Sequence, residues 1–367
     1  MGWLSGWSNR VKITIDSGDI SAALADFPIL IYLSASSGID SEDITFVFDE
    51  VGANSKKIAV TKDDGTTECY VEIDTWDAGN EKGWLWSKIP TISHTIDTDI
   101  YLYFDNSHAD NDTYVGDTNS TTAENVWDAN FLMVQHMKDA TTSTILDSTS
   151  NDNDATKYAA NEPIEETGKI GNSQLFDGVN DYGKITNVVV ASPSELTISG
   201  WIKKGTGGTT YETALHQGTI YSIGSSSYWL GVDLNNDICA TIGANVIGIG
   251  WNKGLTTTEA IVGQWYFVAA VWDGSVVKVY LDGVYADTQY DLVSYNNGIT
   301  PTRFGSSIDA TGNYKFGGSI DEVRISDVKR SDAWVKASYE TGDDDLLTYG
   351  NEEKFSGVSA WLTMPTN

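Results

Sequence analysis

The sequence predicts an all-β protein that consists of two antiparallel β-sandwich domains. Its 367 residues, 40% of them apolar, suffice for two packed cores. Short runs in which apolar and polar residues alternate recur at close spacing, as in strands that bury one face. Glycine (35 residues), tyrosine (18) and tryptophan (13) are frequent, which is typical of tight turns between aromatic-rich strands.

The first domain is expected at residues 1–115. Its opening run, VKITI at 11–15, places three apolar side chains on one face of a strand. The Asp64-Gly65 pair lies between two later runs and predicts a tight turn. Six further runs are predicted as strands: FPILIYL (27–33), DITFVF (43–48), KKIAV (56–60), ECYVEI (68–73), WLWSKI (84–89) and DIYLYF (99–104).

The next stretch is rich in Asn, Asp and Thr, which predicts a linker at 116–123. The second domain is expected at 124–353, with its first strand in FLMVQHM (131–137), and a tail at 354–367. Its other predicted strands are QLF (174–176), LTISGWIK (196–203), YWLGVDL (228–234), DICATI (237–242), WYFVAAVW (265–272), VVKVYL (276–281) and GSIDEVRI (318–325). Ser331 as N-cap, an apolar stripe and a closing Gly342 predict one short helix that plugs the end of a sandwich.

The charge composition excludes two classes of partner. The chain has 22 basic and 52 acidic residues, a net charge of −30. A phosphate backbone is held mainly by Lys and Arg, so we expect no nucleic-acid partner. No apolar run approaches the ~18 residues of a membrane helix, so we expect no membrane insertion. The two cysteines, Cys69 and Cys239, lie far apart and predict no disulfide framework.

The second half resembles the laminin-G-like, concanavalin A-like jelly rolls, over roughly 124–353. The resemblance rests on the order and spacing of LFDGVNDYGKI, LTISGWIK, GQWYFVAAVWDGSVVKVYLDGV and GGSIDEVRISDVKRSDAWVKASYE. The first half resembles the domain of unknown function two-three-four-one, through WSNRVKITI, FPILIYL, DITFVF and DIYLYFDN. That family has no established activity. Proteins with this pairing resemble surface, secreted or virion components whose jelly rolls are glycan-binding or adhesive modules.

One segment, EIDTWD at 72–77, resembles the bulged acid motif of laminarinase-type glucanases. Strand alternation places Glu72 and Asp74 on one face, and a bulge brings Asp77 to that face too. Retaining glycosidases need two carboxyl groups about 5 Å apart. The last position, however, is Asp where those glucanases have Glu, and the motif lies outside the jelly roll. We therefore predict no catalytic residues and no enzyme activity, with a glucanase-like glycoside hydrolase as an alternative.

Calcium is the cofactor that the loops of the second half suggest, since hard cations prefer several oxygen ligands. The resemblance to the jelly-roll family implies that its FDG loop and IDEVRI strand lie near each other. Asp177, Asp181 and Asp321 are then the candidate metal ligands. The alternative is that Asp177 and Asp181 accept hydrogen bonds within their own turn, and that Asp321 pairs with a Lys or Arg.

Sugar binding needs exposed aromatic rings and a few fixed polar groups. Tyr228, Trp229, Trp251 and Tyr295 lie in or near predicted loops and are the candidate ligand-binding residues. Trp251 is the first choice because the glycines around it predict an exposed loop tip.

These observations predict a noncatalytic structural and adhesion protein that presents a glycan- or surface-binding jelly roll. The opening MGWLSGWSNR has no charged or apolar signal-peptide region, so the protein is used without classical export or the chain starts after a removed signal. We expect a virion component, such as a phage tail, fibre or head-decoration protein, assembled in the host cytoplasm. Its expected partners are copies of itself or other virion proteins. A secreted or cell-surface carbohydrate-binding adhesin is the alternative.

Overall fold

The structure is a computed structural model, and it describes residues 2–139, 143–158, 162–191, 193–209, 211–218, 226–243, 254–289, 301–307 and 314–356. It confirms the prediction of an all-β protein with antiparallel sheets stacked in two sandwiches. The elements up to residue 130 are β1 (Asn9–Ile15), β2 (Leu24–Leu33), α1 (Phe46–Val51), β3 (Ile58–Thr61), β4 (Glu68–Cys69), β5 (Val71–Asp77), β6 (Lys82–Ile92), β7 (Thr98–Phe104) and β8 (Val115–Asp117), with short 3-10 helices at Ser17–Asp19 and Ala123–Val126.

The later elements belong mostly to the second sandwich. They are β9 (Phe131–Gln135), β10 (Thr144–Ile145), β11 (Ala155–Lys157), β12 (Ile164–Thr167), β13 (Asn172–Asp177), β14 (Gly183–Ile185), β15 (Leu196–Lys204), β16 (Glu212–Gly218), β17 (Ser226–Val232), β18 (Asp237–Ile242), β19 (Gly254–Glu259), β20 (Trp265–Trp272), β21 (Val277–Leu281), β22 (Val284–Gln289), β23 (Thr302–Phe304), β24 (Gly317–Ser326), α2 (Asp332–Gly342) and β25 (Leu347–Lys354).

The first sandwich stacks a five-stranded sheet, in the order β25-β1-β7-β3-β4, on a four-stranded sheet, β2-β6-β5-β8. Alternation in β1 sends Val11, Ile13 and Ile15 into the core between them, as the sequence predicts. Segment 43–48 does not form the predicted strand, because Phe46–Val51 is a helical turn that buries Val47, Phe48 and Val51. A short apolar run satisfies either geometry, so alternation alone does not distinguish them.

Two domain boundaries differ from the predicted ones. Strand β25 lies within the range expected for the jelly roll, but it pairs with β1, for example Ile15 with Leu347. The last described strand therefore completes the first sandwich. Part of the predicted linker is also a strand, since β8 pairs in parallel with β5.

The second sandwich contains two larger sheets. The front sheet has the order β10-β11-β14-β23-β16-β17-β18-β19, and the back sheet has the order β12-β13-β24-β15-β20-β21-β22, with β9 also paired to β24. Apolar side chains from both inner faces, among them Ile198, Val268 and Phe304, form its core. The β20-β21-β22 meander that the two Asp-Gly pairs predict is present.

Helix α2 lies between the two sandwiches and does not plug the end of one. Ser331 caps it by accepting a hydrogen bond from the Trp334 N–H. Val335 packs on the outer face of the back sheet, whereas Ala333 and Ala337 join the core of the first sandwich. The back sheet is thus covered on both faces, and the outer face of the front sheet lies on the far side of the molecule. Neither described helix has the length and apolar composition required to cross a membrane.

Candidate functional site: the outer face of the front sheet

Two of the four aromatic residues proposed as sugar platforms, Trp251 and Tyr295, lie outside the described residues. The strands that flank them end at one end of the front sheet. Register pairs Ile242, the end of β18, with Tyr228, and Tyr228 with Gln217. Gln217 in turn pairs with Thr302, the start of β23. Chain segments 243–253 and 290–301 therefore connect to the sheet at the same end.

The other two aromatic residues are buried, which removes them as stacking platforms. Tyr228 points into the core, and its hydroxyl lies 2.7 Å from Thr302 Oγ1. Trp229 points the opposite way but is only 2% exposed, and its Nε1 donates to Thr213 Oγ1. The sequence prediction failed here because both aromatic residues lie inside a strand. Alternation predicts that their side chains point to opposite faces of the sheet, but it does not predict whether the outer face is covered.

The three predicted calcium ligands do not meet. Asp177 pairs with Gly317, four residues before Asp321 on β24, so a rise of about 3.3 Å per residue separates the two by about 13 Å. Asp177 accepts hydrogen bonds from the backbone of its own turn, and Asp181 accepts one from the Asp177 N–H. Asp321 is fully buried and accepts from the N–H groups of Lys169 and Ile170.

The glucanase-like acids do not assemble as a set either. Glu72 and Asp74 point to the same buried side of β5, where His136 and Glu322 meet them. Asp77 instead closes its own turn by accepting from the N–H groups of Gly79 and Asn80. Both oxygens of Glu72 are engaged, one by Trp127 Nε1 at 2.6 Å and the other by Ser148 Oγ at 2.7 Å.

The outer face of the front sheet carries a continuous row of polar and aromatic side chains. Their neighbours in sequence, such as Ala155, Ile185 and Phe304, point into the core. The row crosses six strands, and each member is the register partner of the next: Thr156, Lys184, Arg303, His216, Trp229 and Thr241.

Stacked tyrosines and positive charges occupy one side of this row. The Tyr158 and Tyr182 rings lie parallel with centroids 4.2 Å apart. The Arg303 guanidinium lies 4.9 Å from the Tyr182 centroid, and Lys315 Nζ lies 5.7 Å from it. We call Tyr158, Tyr182, Lys184, Arg303 and Lys315 the tyrosine–cation patch.

The cations of the patch form no ion pair with a described carboxylate. No carboxylate in the described ranges lies within 4.0 Å of the charged groups of Lys184, Arg303 or Lys315. The Arg303 Nε is buried without a hydrogen-bond partner among the residues that the structure places. Burial, together with the neighbouring Arg303 charge, lowers the pKa of Lys315, although the more distant Asp177 and Asp181 act in the opposite direction. In a chain of net charge −30, three cations on one face that form no ion pair with a described carboxylate can bind an anion.

His216 is an ionisable member of the row that stays neutral. Burial, with a smaller contribution from Arg303, lowers its pKa to about 3, so the imidazole is uncharged at neutral pH. Sequence reasoning missed the whole patch. The available signal was a basic residue flanked by apolar or small residues in short strands, as Lys184 in GKI and Arg303 in TRF.

Residues 177–336 match the family described as the concanavalin A-like lectin/glucanases superfamily. The C-terminal region carries a domain of this superfamily. The match confirms the jelly-roll resemblance. It does not extend to the first sandwich, whose resemblance to the uncharacterised family stays a prediction. A comparison with curated proteins gives no match.

The chain is similar to several solved structures. Domain 4 of AbnA, an extracellular arabinanase from Geobacillus stearothermophilus in complex with arabinotriose, is 20% identical with a TM-score of 0.44, over 57% of this chain and 98% of that one. The receptor binding domain of botulinum neurotoxin D is 14% identical with a TM-score of 0.42, over 57% and 52%. Trypanosoma rangeli sialidase is 12% identical with a TM-score of 0.43, over 70% and 42%. Similarities of this size say nothing about the ligand of the present chain.

Proposed function

We propose that this protein is a noncatalytic recognition protein whose jelly roll binds an acidic carbohydrate through the tyrosine–cation patch. The observation that carries the proposal is the set of cations around the stacked pair Tyr158 and Tyr182, none of which forms an ion pair within the described ranges. A sugar ring packs against tyrosine, and a carboxylate or sulfate on that sugar forms charge-assisted hydrogen bonds with Arg303. The superfamily match supports carbohydrate or surface binding in general.

Trp251 and Tyr295, which lie outside the described residues, stay part of the proposed binding surface. Trp251 and Tyr295 belong to segments that join the sheet at the end where β18 stops and β23 starts. Two aromatic residues in neighbouring connections suit a longer oligosaccharide, with one ring for each sugar unit.

A glycan array tests the proposal. We expect the full chain to bind sialylated, uronic-acid or sulfated glycans and to ignore their neutral counterparts. Arg303→Ala should weaken this binding at least tenfold, because the charge-assisted bonds are lost. Lys278→Ala is the matched control, since Lys278 is an exposed cation that pairs with Asp332 elsewhere on the surface. Binding of neutral glycans alone, or equal binding by Arg303→Ala, would refute the proposal.

The proposal includes a virion setting, with the first sandwich as the mounting module and copies of the chain as partners. An exposed apolar edge supports self-association. Strand β22 is the last strand of the back sheet in the described order, and its Val284 and Tyr285 are 67% and 50% exposed. Light scattering should then give a mass that is a multiple of 39.9 kDa, and Val284→Asp should return it to the monomer value. A monomer at all concentrations would oppose this part of the proposal.

The noncatalytic part of the proposal rests on Glu72. A nucleophilic carboxylate needs an oxygen that can reach a substrate, but both Glu72 oxygens hold protein donors and the side chain is fully buried. Incubation with laminarin and related β-glucans should therefore release no reducing ends. Hydrolysis that Glu72→Gln abolishes would establish the glycoside hydrolase alternative.

A further inference from the structure

A buried cluster of ionisable side chains lies between the two sandwiches. Asp74 comes from β5, His136 follows β9, and Glu322 comes from β24. None is more than 2% exposed, and each contributes an atom to a set in which all lie within 4.8 Å of one another. We call these three side chains the inter-sandwich cluster.

Among the described residues in and beside the cluster, carboxyl groups (Asp74, Glu322, Glu72 and Asp321) outnumber basic groups (His136, Arg324 and Lys138). Glu72 and Asp321 are fully buried beside it. Arg324 Nη2 pairs with Glu322 Oε2 at 2.8 Å and is the buried guanidinium in contact with the cluster. Buried carboxylates without a cation cost several kcal/mol, so the arrangement favours either bound protons or a bound metal ion.

The geometry of the individual atoms favours a metal ion. His136 Nδ1 and Glu322 Oε1 lie 2.5 Å apart, while the other Glu322 oxygen is occupied by Arg324. Asp74 Oδ2 is buried and has no hydrogen-bond partner in the described part of the chain. Glu72 Oε1 lies 3.3 Å from His136 Nε2, which is buried and has no hydrogen-bond partner among the described residues.

The backbone around the cluster is held in an unusual conformation. Glu322 has φ of 48° and lies at a bulge between β24 and β15, which turns its side chain towards His136. Met137, directly after His136, has φ of 55°. Left-handed backbone at residues other than glycine is strained and is concentrated at functional sites.

An ion can reach the cluster from solvent. Asp74 and His136 line a cleft of about 810 Å³ between the sandwiches, together with Lys138, Asp139 and Glu165. The cleft also leaves room for a water molecule to complete the coordination of a metal.

We propose that the inter-sandwich cluster binds one divalent transition-metal ion, with Zn²⁺ preferred, through Asp74 Oδ2, His136 Nδ1 and Glu322 Oε1. The ion replaces the proton shared by His136 and Glu322, so binding releases protons. One imidazole and two carboxylates with an open fourth position suit Zn²⁺, which lies above Mn²⁺ in intrinsic affinity. Tetrahedral ligands at 2.0–2.2 Å from an ion lie about 3.3–3.6 Å apart. On binding, His136 Nδ1 and Glu322 Oε1, now 2.5 Å apart, therefore separate by about 1 Å, and the most distant pair of the cluster draws in by at most about 1.5 Å.

Calorimetric titration of the chelator-treated full chain with ZnCl₂ tests this proposal. We expect one Zn²⁺ per chain, a higher melting temperature and weaker binding of Mn²⁺. Asp74→Asn and His136→Gln should each reduce Zn²⁺ affinity at least tenfold. Asp77→Asn is the control, because Asp77 lies on the same strand but is turned to solvent, and it should bind Zn²⁺ as the parent does.

Two results would overturn the proposal. One is that the unmodified chain binds neither Zn²⁺ nor Mn²⁺ stoichiometrically. This result does not require any variant to fold. The other is unchanged Zn²⁺ affinity in a folded Asp74→Asn variant, which would place the ion at another site.

Discussion

Two arginines of this chain show how the environment of a residue decides its role. Arg324 lies between Trp86 and Trp127, at 4.2 and 4.9 Å from their ring centroids, and pairs with buried Glu322. Arg303 is half-buried and has no acidic partner among the described residues. The first arginine therefore supports the fold, whereas the second is available to a ligand.

Alanine substitution should separate the two roles. Arg324→Ala leaves Glu322 buried without its guanidinium, so we expect a loss of about 3 kcal/mol in the free energy of unfolding. Arg303→Ala removes no such pair and should cost less than about 1 kcal/mol. Urea denaturation of both variants measures this difference. Equal losses would show that Arg303 is a structural residue.

His216 predicts a specific pH dependence. Its pKa is lowered in the folded protein to about 3, whereas the unfolded chain has the ordinary value near 6.5. The unfolded state binds the extra proton between these values, so stability is present above pH 6.5 and is lost as the pH falls towards 3. Between these two pKa values, His216 should lower the free energy of unfolding by about 1.4 kcal/mol for each unit by which the pH falls.

His216→Leu should remove that contribution, because leucine cannot take up a proton. Unfolding free energies of the parent and the variant, measured between pH 4 and 7, should converge as the pH falls or cross in favour of the variant. Parallel curves would mean that His216 does not titrate in this way.

At the scale of elements, β25 joins the two ends of the described chain. Leu347 is 2% exposed in the core of the first sandwich, and Tyr349 donates its hydroxyl to the Tyr32 carbonyl. Leu347→Ala should therefore cost about 2–4 kcal/mol. Thr348→Ala, a half-buried position on the opposite face, should cost less than about 1 kcal/mol. Thermal unfolding compares them, and similar losses would argue against the pairing of β25 with β1.

Alternation was sufficient to predict elements whose partners are close in sequence. The β20-β21-β22 meander follows from its apolar runs and Asp-Gly turns. The pairing of β25 with β1 joins segments more than 300 residues apart, and no local pattern encodes it. The helical turn at Phe46–Val51 was missed because its buried residues also suit a strand.

The tyrosine–cation patch and the inter-sandwich cluster were even harder to predict from the sequence, because long-range contacts bring their residues together. Lys184 and Arg303 are neighbours only through the pairing of β14 with β23. His136 and Glu322 meet across 186 positions of sequence, and Asp74 joins them from the other sandwich. The local signal was weak but present, since Glu72, Asp321 and Glu322 are acids inside apolar strand runs, where charges are rarely buried without a partner.

At the scale of the whole molecule, the net charge of −30 repels itself in the compact state. Salt screens this repulsion, with a Debye length of about 30 Å at 0.01 M and about 3 Å at 1 M. We therefore expect the melting temperature to rise between 10 mM and 500 mM NaCl. Sucrose at matched osmolality is the control, because it does not screen charge. A melting temperature that falls with NaCl would contradict this expectation.

The central claim is that the two sheets of the second sandwich have different roles: the back sheet packs against the rest of the molecule, and the front sheet binds the ligand. The back sheet is covered by α2 and the first sandwich, and the front sheet presents the tyrosine–cation patch. A crystal structure with an acidic oligosaccharide tests it most directly. The sugar should pack against Tyr158 and Tyr182, with its acidic group on Arg303. A sugar bound in the cleft beside Asp74 and His136 would contradict the claim.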